Sequence, residues 1–87
     1  MMRAVVFTPK AMDELFELFG SNQLSPHRVH DLIHAIQRAP TSGIGKPEAL
    51  KHDLKGYWSR RITQEHRLVY RFDDATVWIF SLKGHYL

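Results

Sequence analysis

The chain contains no cysteine. That excludes a disulfide framework and any thiolate-bound metal, and it fits a reducing compartment such as the cytoplasm. No apolar run approaches the ~18 residues needed to cross a bilayer, and no charged-then-apolar leader opens the chain, so no membrane role is expected. There is no internal repeat and no low-complexity stretch. Charge of one sign is only slightly in excess: 12 Lys+Arg against 9 Asp+Glu give a formal net charge of +3. Such a balance suits a polyanionic partner, and it is equally an ordinary solubility charge. What is present is 87 residues, 44% hydrophobic and 11% aromatic. This is the composition of one small globular domain, expected to span residues 1–87.

Order along the chain indicates an α+β class. Ala4-Val5-Val6-Phe7 reads as a short strand. Thr8-Pro9 then supplies an N-cap and a proline at the first helical position. Met12, Leu15, Phe16 and Phe19 follow at helical spacing up to Gly20. Ser25-Pro26 repeats the punctuation, and Val29, Leu32, Ile33 and Ile36 repeat the stripe before Pro40 stops it. The short connection predicts an antiparallel helical hairpin. Residues 39–47 are rich in turn formers. Segments 57–62, 66–72 and 76–82 are aromatic and β-branched, separated by Thr63-Gln64-Glu65 and Asp73-Asp74-Ala75. The expectation is an N-terminal strand and a helical hairpin packed on one face of a twisted antiparallel sheet.

Strand alternation predicts the faces. Leu68, Tyr70 and Phe72 fall on one side, with Trp78, Phe80 and Leu82 placed beside them as the surface that buries the helices. The other side carries Arg67, Val69 and Arg71, and with them Val77, Ile79, Ser81, Lys83 and His85. A three-residue turn brings Arg61 near Arg67 on that mixed, basic side, the expected working surface. A slip of one residue would exchange the two faces.

Cutting RNA without a metal uses the ribose 2′-hydroxyl as nucleophile. A base must take its proton, an acid must protonate the departing 5′ oxygen, and a cation must stabilise the pentacoordinate phosphate. Glu48 can serve as base, His85 as acid and Arg67 as permanent cation. Taken singly, each has a plainer reading: a solvated loop carboxylate, a surface arginine, a chain-end histidine. Spacing alone does not make them converge.

A longer pattern bears on them. Gly45-Lys46-Pro47-Glu48-Ala49-Leu50-Lys51-His52-Asp53-Leu54 leads into Gly56-Tyr57-Trp58-Ser59-Arg60-Arg61-Ile62-Thr63 and then Glu65-His66-Arg67-Leu68-Val69-Tyr70, and His85-Tyr86 stands near the end. This succession resembles the Txe/YoeB family of the RelE/ParE toxin superfamily, found in type II toxin–antitoxin systems. The resemblance implies a fold like that of small microbial ribonucleases. It also implies metal-free cleavage of messenger RNA in the ribosomal A site, no cofactor, a YefM/Axe-like antitoxin partner, and room for a homodimer. By position, Glu48 matches the family's general base, Arg67 its transition-state arginine and His85 its general acid. Lys51, Arg61 and Glu65 match residues lining the site, and Tyr86 the terminal tyrosine that holds substrate. Lys46 joins them as an RNA-binding cation. Three positions depart from the pattern: Ala49 for a proline, Gly84 for a tyrosine, and Leu87 beyond the usual last residue. A fold-related gyrase-inhibiting toxin and a non-catalytic RNA- or protein-binding module remain as alternatives.

Other signals lead elsewhere. His27, His30 and His34 line one stripe of the second helix, where an i, i+4 pair can take zinc; an exposed polar face is the plainer reading, and no metal is expected. Trp58 and Trp78 are expected in the core, and Tyr57 on the opposite face is the better base-stacking candidate.

Overall fold

The computed structural model of the chain describes residues 2–84. Two helices pack on one face of a five-stranded sheet. The elements run β1 (Ala4–Phe7), α1 (Pro9–Gly20), α2 (Pro26–Arg38), β2 (Glu48–Ala49), a 3-10 turn at His52–Leu54, β3 (Trp58–Arg61), β4 (Arg67–Phe72) and β5 (Thr76–Ser81). The strand order is β1-β5-β4-β3-β2. The expected α+β class holds, with one addition: β1 runs parallel to β5, so the sheet is mixed. The remaining pairs are antiparallel.

Local chemistry sets the helix boundaries. The Thr8 hydroxyl accepts from the Ala11 amide at 3.1 Å, and the Ser25 hydroxyl from the Arg28 amide at 3.3 Å. A proline follows each cap. On α2 the expected stripe is the buried one, through Val29, Leu32 and Ile36. On α1 the buried residues are Ala11 and Leu18, whereas Met12 is exposed and Phe16 is 66% exposed. Leu15 and Phe19 of the expected stripe do pack against the core, so the buried face is rotated toward Ala11 and Leu18.

The faces of β4 are as the alternation predicts: Leu68 and Tyr70 are buried beneath the helices, and Phe72 packs at their margin. The faces of β5 are not. Tyr70 pairs with Ile79 and Phe72 with Val77, but Val69 pairs with Ser81, so the register shifts between Val69 and Tyr70. One extra residue, Phe80, is accommodated there as a β-bulge. Val77 and Ile79 therefore enter the core, with Leu82 returned to it beyond the bulge. Trp78 faces the other way, opposite Arg71, and is only half-buried. Trp58 does lie on the helix side, paired with Tyr70. Lys83, expected on the open side, reaches Glu17 of α1 at 2.9 Å, and that ion pair raises its pKa.

Ile79→Ala is accordingly expected to cost about 2–5 kcal/mol through a core cavity, and Trp78→Ala only about 1–2 kcal/mol. Urea unfolding of both variants checks the order.

Arg60 is buried although charged. It pairs with Leu68 across the strands and so points to the helix side. Its Nη2 donates to the carbonyls of Ala39 at 2.6 Å and Ser42 at 2.8 Å, its Nη1 to that of Ile44 at 3.0 Å, and its Nε to the Tyr70 hydroxyl at 3.1 Å. The Tyr70 hydroxyl in turn donates to the Pro40 carbonyl. One guanidinium thus orders the turn-rich segment between α2 and β2.

Burial raises the Tyr70 pKa, with the Arg60 hydrogen bond and charge opposing it. The folded chain therefore keeps this proton to higher pH than the unfolded chain. Stability should begin to fall as pH rises past the ordinary tyrosine value of about 10. Tyr70→Phe should flatten that alkaline decline, read as melting temperature across roughly pH 9 to 11.

Candidate functional site

The site is built on the sheet face that the helices leave open, at the β2–β3–β4 end. Gly45 starts it. Its φ of +86° and its surroundings require glycine: an added Cβ would sit 2.6 Å from Leu32 Cδ2 and 3.2 Å from both Arg60 Cβ and the Arg61 carbonyl. The Gly45 carbonyl accepts from the Arg61 amide at 2.6 Å, docking the loop on the end of β3. From α2, Arg28 donates to the carbonyls of Arg61 at 3.1 Å and Ile62 at 3.2 Å, fixing the same end from the helix side.

Register then gathers the side chains. Glu48 pairs with Ser59, Ser59 with Val69, and Arg61 with Arg67. Directly paired residues project to the same face. Lys46, Pro47, Glu48, Ser59, Arg61 and Arg67 accordingly line one recess of about 360 Å³. Its charged lining is three cations and one carboxylate. Two arginines set opposite each other repel unless an anion lies between them. Arg61 Nε is buried and has no hydrogen-bond partner among the described residues. An unmet buried donor in a cationic recess suits a phosphate oxygen.

The Arg67 side chain is held by the adjoining turn. Its Nη1 donates to the Thr63 carbonyl at 3.1 Å, with longer contacts to those of His66 at 3.4 Å and Gln64 at 3.5 Å. That turn is itself fixed by the Thr63 hydroxyl, which accepts from the amides of Glu65 at 3.2 Å and His66 at 3.1 Å. Such preorganisation lowers the reorganisation cost of meeting developing charge.

Glu48 also borders a second recess, of about 290 Å³, shared with Leu50, Lys51 and His52. Lys51 therefore lies beside Glu48 but is not part of the arginine recess lining. Glu65 lines neither; it borders a smaller recess of about 190 Å³ with Gln23 and His66. His85 and Tyr86 lie outside the described residues. Farther along the open face, Tyr57 meets Phe80 edge-on at 5.1 Å, and Arg71 stacks 5.0 Å over the Tyr57 ring. On α2 the rings of His30 and His34 stand 5.8 Å apart, and His30 bonds Asp31 at 3.2 Å.

Two residues that shape the site escaped the sequence reading. Arg60 was legible in principle, since it alternates with Trp58 and Ile62 on the apolar side. His66 gave no signal beyond its place in the motif.

The sequence and the fold both have known relatives. A profile of the YoeB-like toxin of bacterial type II toxin-antitoxin systems matches residues 7–86. The chain belongs to the YoeB toxin family. It is 51% identical over 82 residues to the toxin YoeB of Escherichia coli strain K12, covering 94% of this chain and 98% of that one. It superposes on the YoeB dimer from Staphylococcus aureus with a TM-score of 0.87 at 39% identity, covering 99% of this chain and 100% of that chain. It also superposes on YoeB in a heterotetrameric YoeB–YefM toxin–antitoxin complex from the same organism, with a TM-score of 0.84 at 39% identity and the same coverage. Among the described residues, no helix of this YoeB-family chain is long and apolar enough to cross a membrane.

Proposed function

We propose that this toxin is a ribosome-dependent endoribonuclease that cuts messenger RNA in the A site and so stops translation. The observation that carries the reading is the meeting of Glu48, Arg61 and Arg67 around one recess with Lys46 at its edge. Glu48 takes the 2′-hydroxyl proton, and the 2′ oxygen attacks the adjacent phosphorus. Arg67 and Arg61 stabilise the added negative charge. His85 protonates the departing 5′ oxygen, leaving a 2′,3′-cyclic phosphate and a 5′-hydroxyl end. Base, acid and cation are all supplied by side chains, so the step needs no metal or cofactor. Lys46 and Lys51 bind the RNA backbone, Tyr86 holds the substrate, and Tyr57 stacks on a base. Action on ribosomes places the protein in the cytoplasm.

The cationic recess also suits an acidic antitoxin segment laid across it. The S. aureus relative is described in complex with YefM and as a dimer. We extend both to this chain as a YefM/Axe-like antitoxin and a homodimer.

Primer extension on translating ribosomes tests the proposal. Cuts within the A-site codon, lost in Arg67→Ala and His85→Ala, are the expected result. DNA breaks that require gyrase, or ribosome binding without cuts, would defeat it.

A further inference from the structure

Just before His85 the chain is held by side chains from distant parts of the fold. The amides of Leu82 and Lys83 both donate to Glu14 Oε1 of α1, at 2.9 and 3.2 Å. The Gly84 amide donates to Nδ1 of His66 at 2.9 Å. The Gly84 carbonyl accepts from the Arg67 amide at 2.7 Å. Three consecutive amides are thus taken by side chains, and the last residue is stitched to the backbone of Arg67.

The His66 ring is itself locked. Its Nδ1 accepts from Gly84, so the ring proton must lie on Nε2, which donates to Gln23 Oε1 at 3.0 Å. The Gln23 amide is oriented in turn, because its Nε2 donates to the Ser21 hydroxyl at 2.9 Å. The ring is nearly buried, at 7% exposure. A turn residue that served only the core would not need this polar relay from the α1–α2 loop to the last described residues.

We infer that His66 is a positioning residue: with its ring locked by Gln23, it fixes Gly84 against the backbone of Arg67 and thereby steadies the strand end from which Arg67 enters the recess. The inference rests on the proposed cleavage and on Arg67 as its cation. His66 touches neither substrate nor reacting atoms; it acts through the backbone. A misplacement on the order of 1 Å in a catalytic group can cost about a hundredfold in rate.

The test compares two substitutions in the full-length chain. His66→Leu keeps much of the bulk and removes the acceptor. His66→Asn keeps an acceptor oxygen near the Nδ1 position. Single-turnover cleavage at saturating ribosomes is read together with ribosome affinity, melting temperature and amide exchange at Gly84. His66→Leu should lose about tenfold to a hundredfold in cleavage rate with unchanged ribosome affinity and faster Gly84 exchange. His66→Asn should recover most of that loss. Gly84 exchange reads the clamp even where melting shows weakened folding. Normal cleavage by His66→Leu, or equal losses in the two variants, would overturn the positioning role. A wild-type chain that cuts no ribosome-bound message would instead defeat the proposed function, and the positioning role with it; Gly84 exchange distinguishes that failure from a missing clamp.

Discussion

Arg67→Ala lowers single-turnover cleavage by about 10²–10³-fold, whereas Lys51→Ala lowers it only severalfold. The difference comes from when each cation meets its charge. Arg67 stands in the recess with Glu48 and Arg61, and the Thr63 turn pins its Nη1. Under the proposed function it meets charge that exists only once phosphorus becomes pentacoordinate, so its loss should fall on the chemical step. Lys51 is exposed in the adjoining recess, where under the proposed function it would bind the RNA backbone equally before and during reaction. Its loss falls on affinity and is salt-dependent. Equal losses in rate at saturating ribosomes would show that Arg67 merely binds.

Arg60→Met costs about 3 kcal/mol or more of stability even though it replaces a charge with a flexible apolar chain of similar length. The carbonyls of Ala39, Ser42 and Ile44 and the Tyr70 hydroxyl all lose their donor. A fully buried acceptor left unmet costs roughly 1–3 kcal/mol. Of these, only the Tyr70 hydroxyl is fully buried, and the part-buried carbonyls, of which that of Ala39 keeps the Ser42 amide at 3.4 Å, cost less each. Lysine should not rescue, because a point charge cannot reach acceptors arranged for a planar fork. The loop it orders leads directly to Gly45 and Glu48, so cleavage should fall as well. An unchanged urea midpoint for Arg60→Met would refute this account.

The parts of the fold that were legible in the sequence are those governed by local rules. Both N-caps, the α2 stripe, both faces of β4 and the pairing of Arg61 with Arg67 follow from periodicity and turn length. The faces of β5 did not, because a single inserted residue at the bulge reverses alternation, and no local feature marks it. The α1 stripe was legible in part: Leu15 and Phe19 pack against the core, while Met12 and Phe16 are exposed and the smaller Ala11 is buried. For the site, strand pairing made the arginines readable. Glu48 was not, since its place depends on a loop shaped by Arg60 and by the left-handed backbone of Gly45. The resemblance named Glu48; only coordinates bring it to the arginines.

The parallel pairing of β1 with β5 has a consequence for biosynthesis. The first strand made finds its neighbour only in residues 76–81, among the last to be synthesised. Helices can form during translation, but this sheet edge cannot close until β5 has emerged. The β1 edge therefore closes only after the β3–β4 hairpin that carries Arg61 and Arg67 has been made.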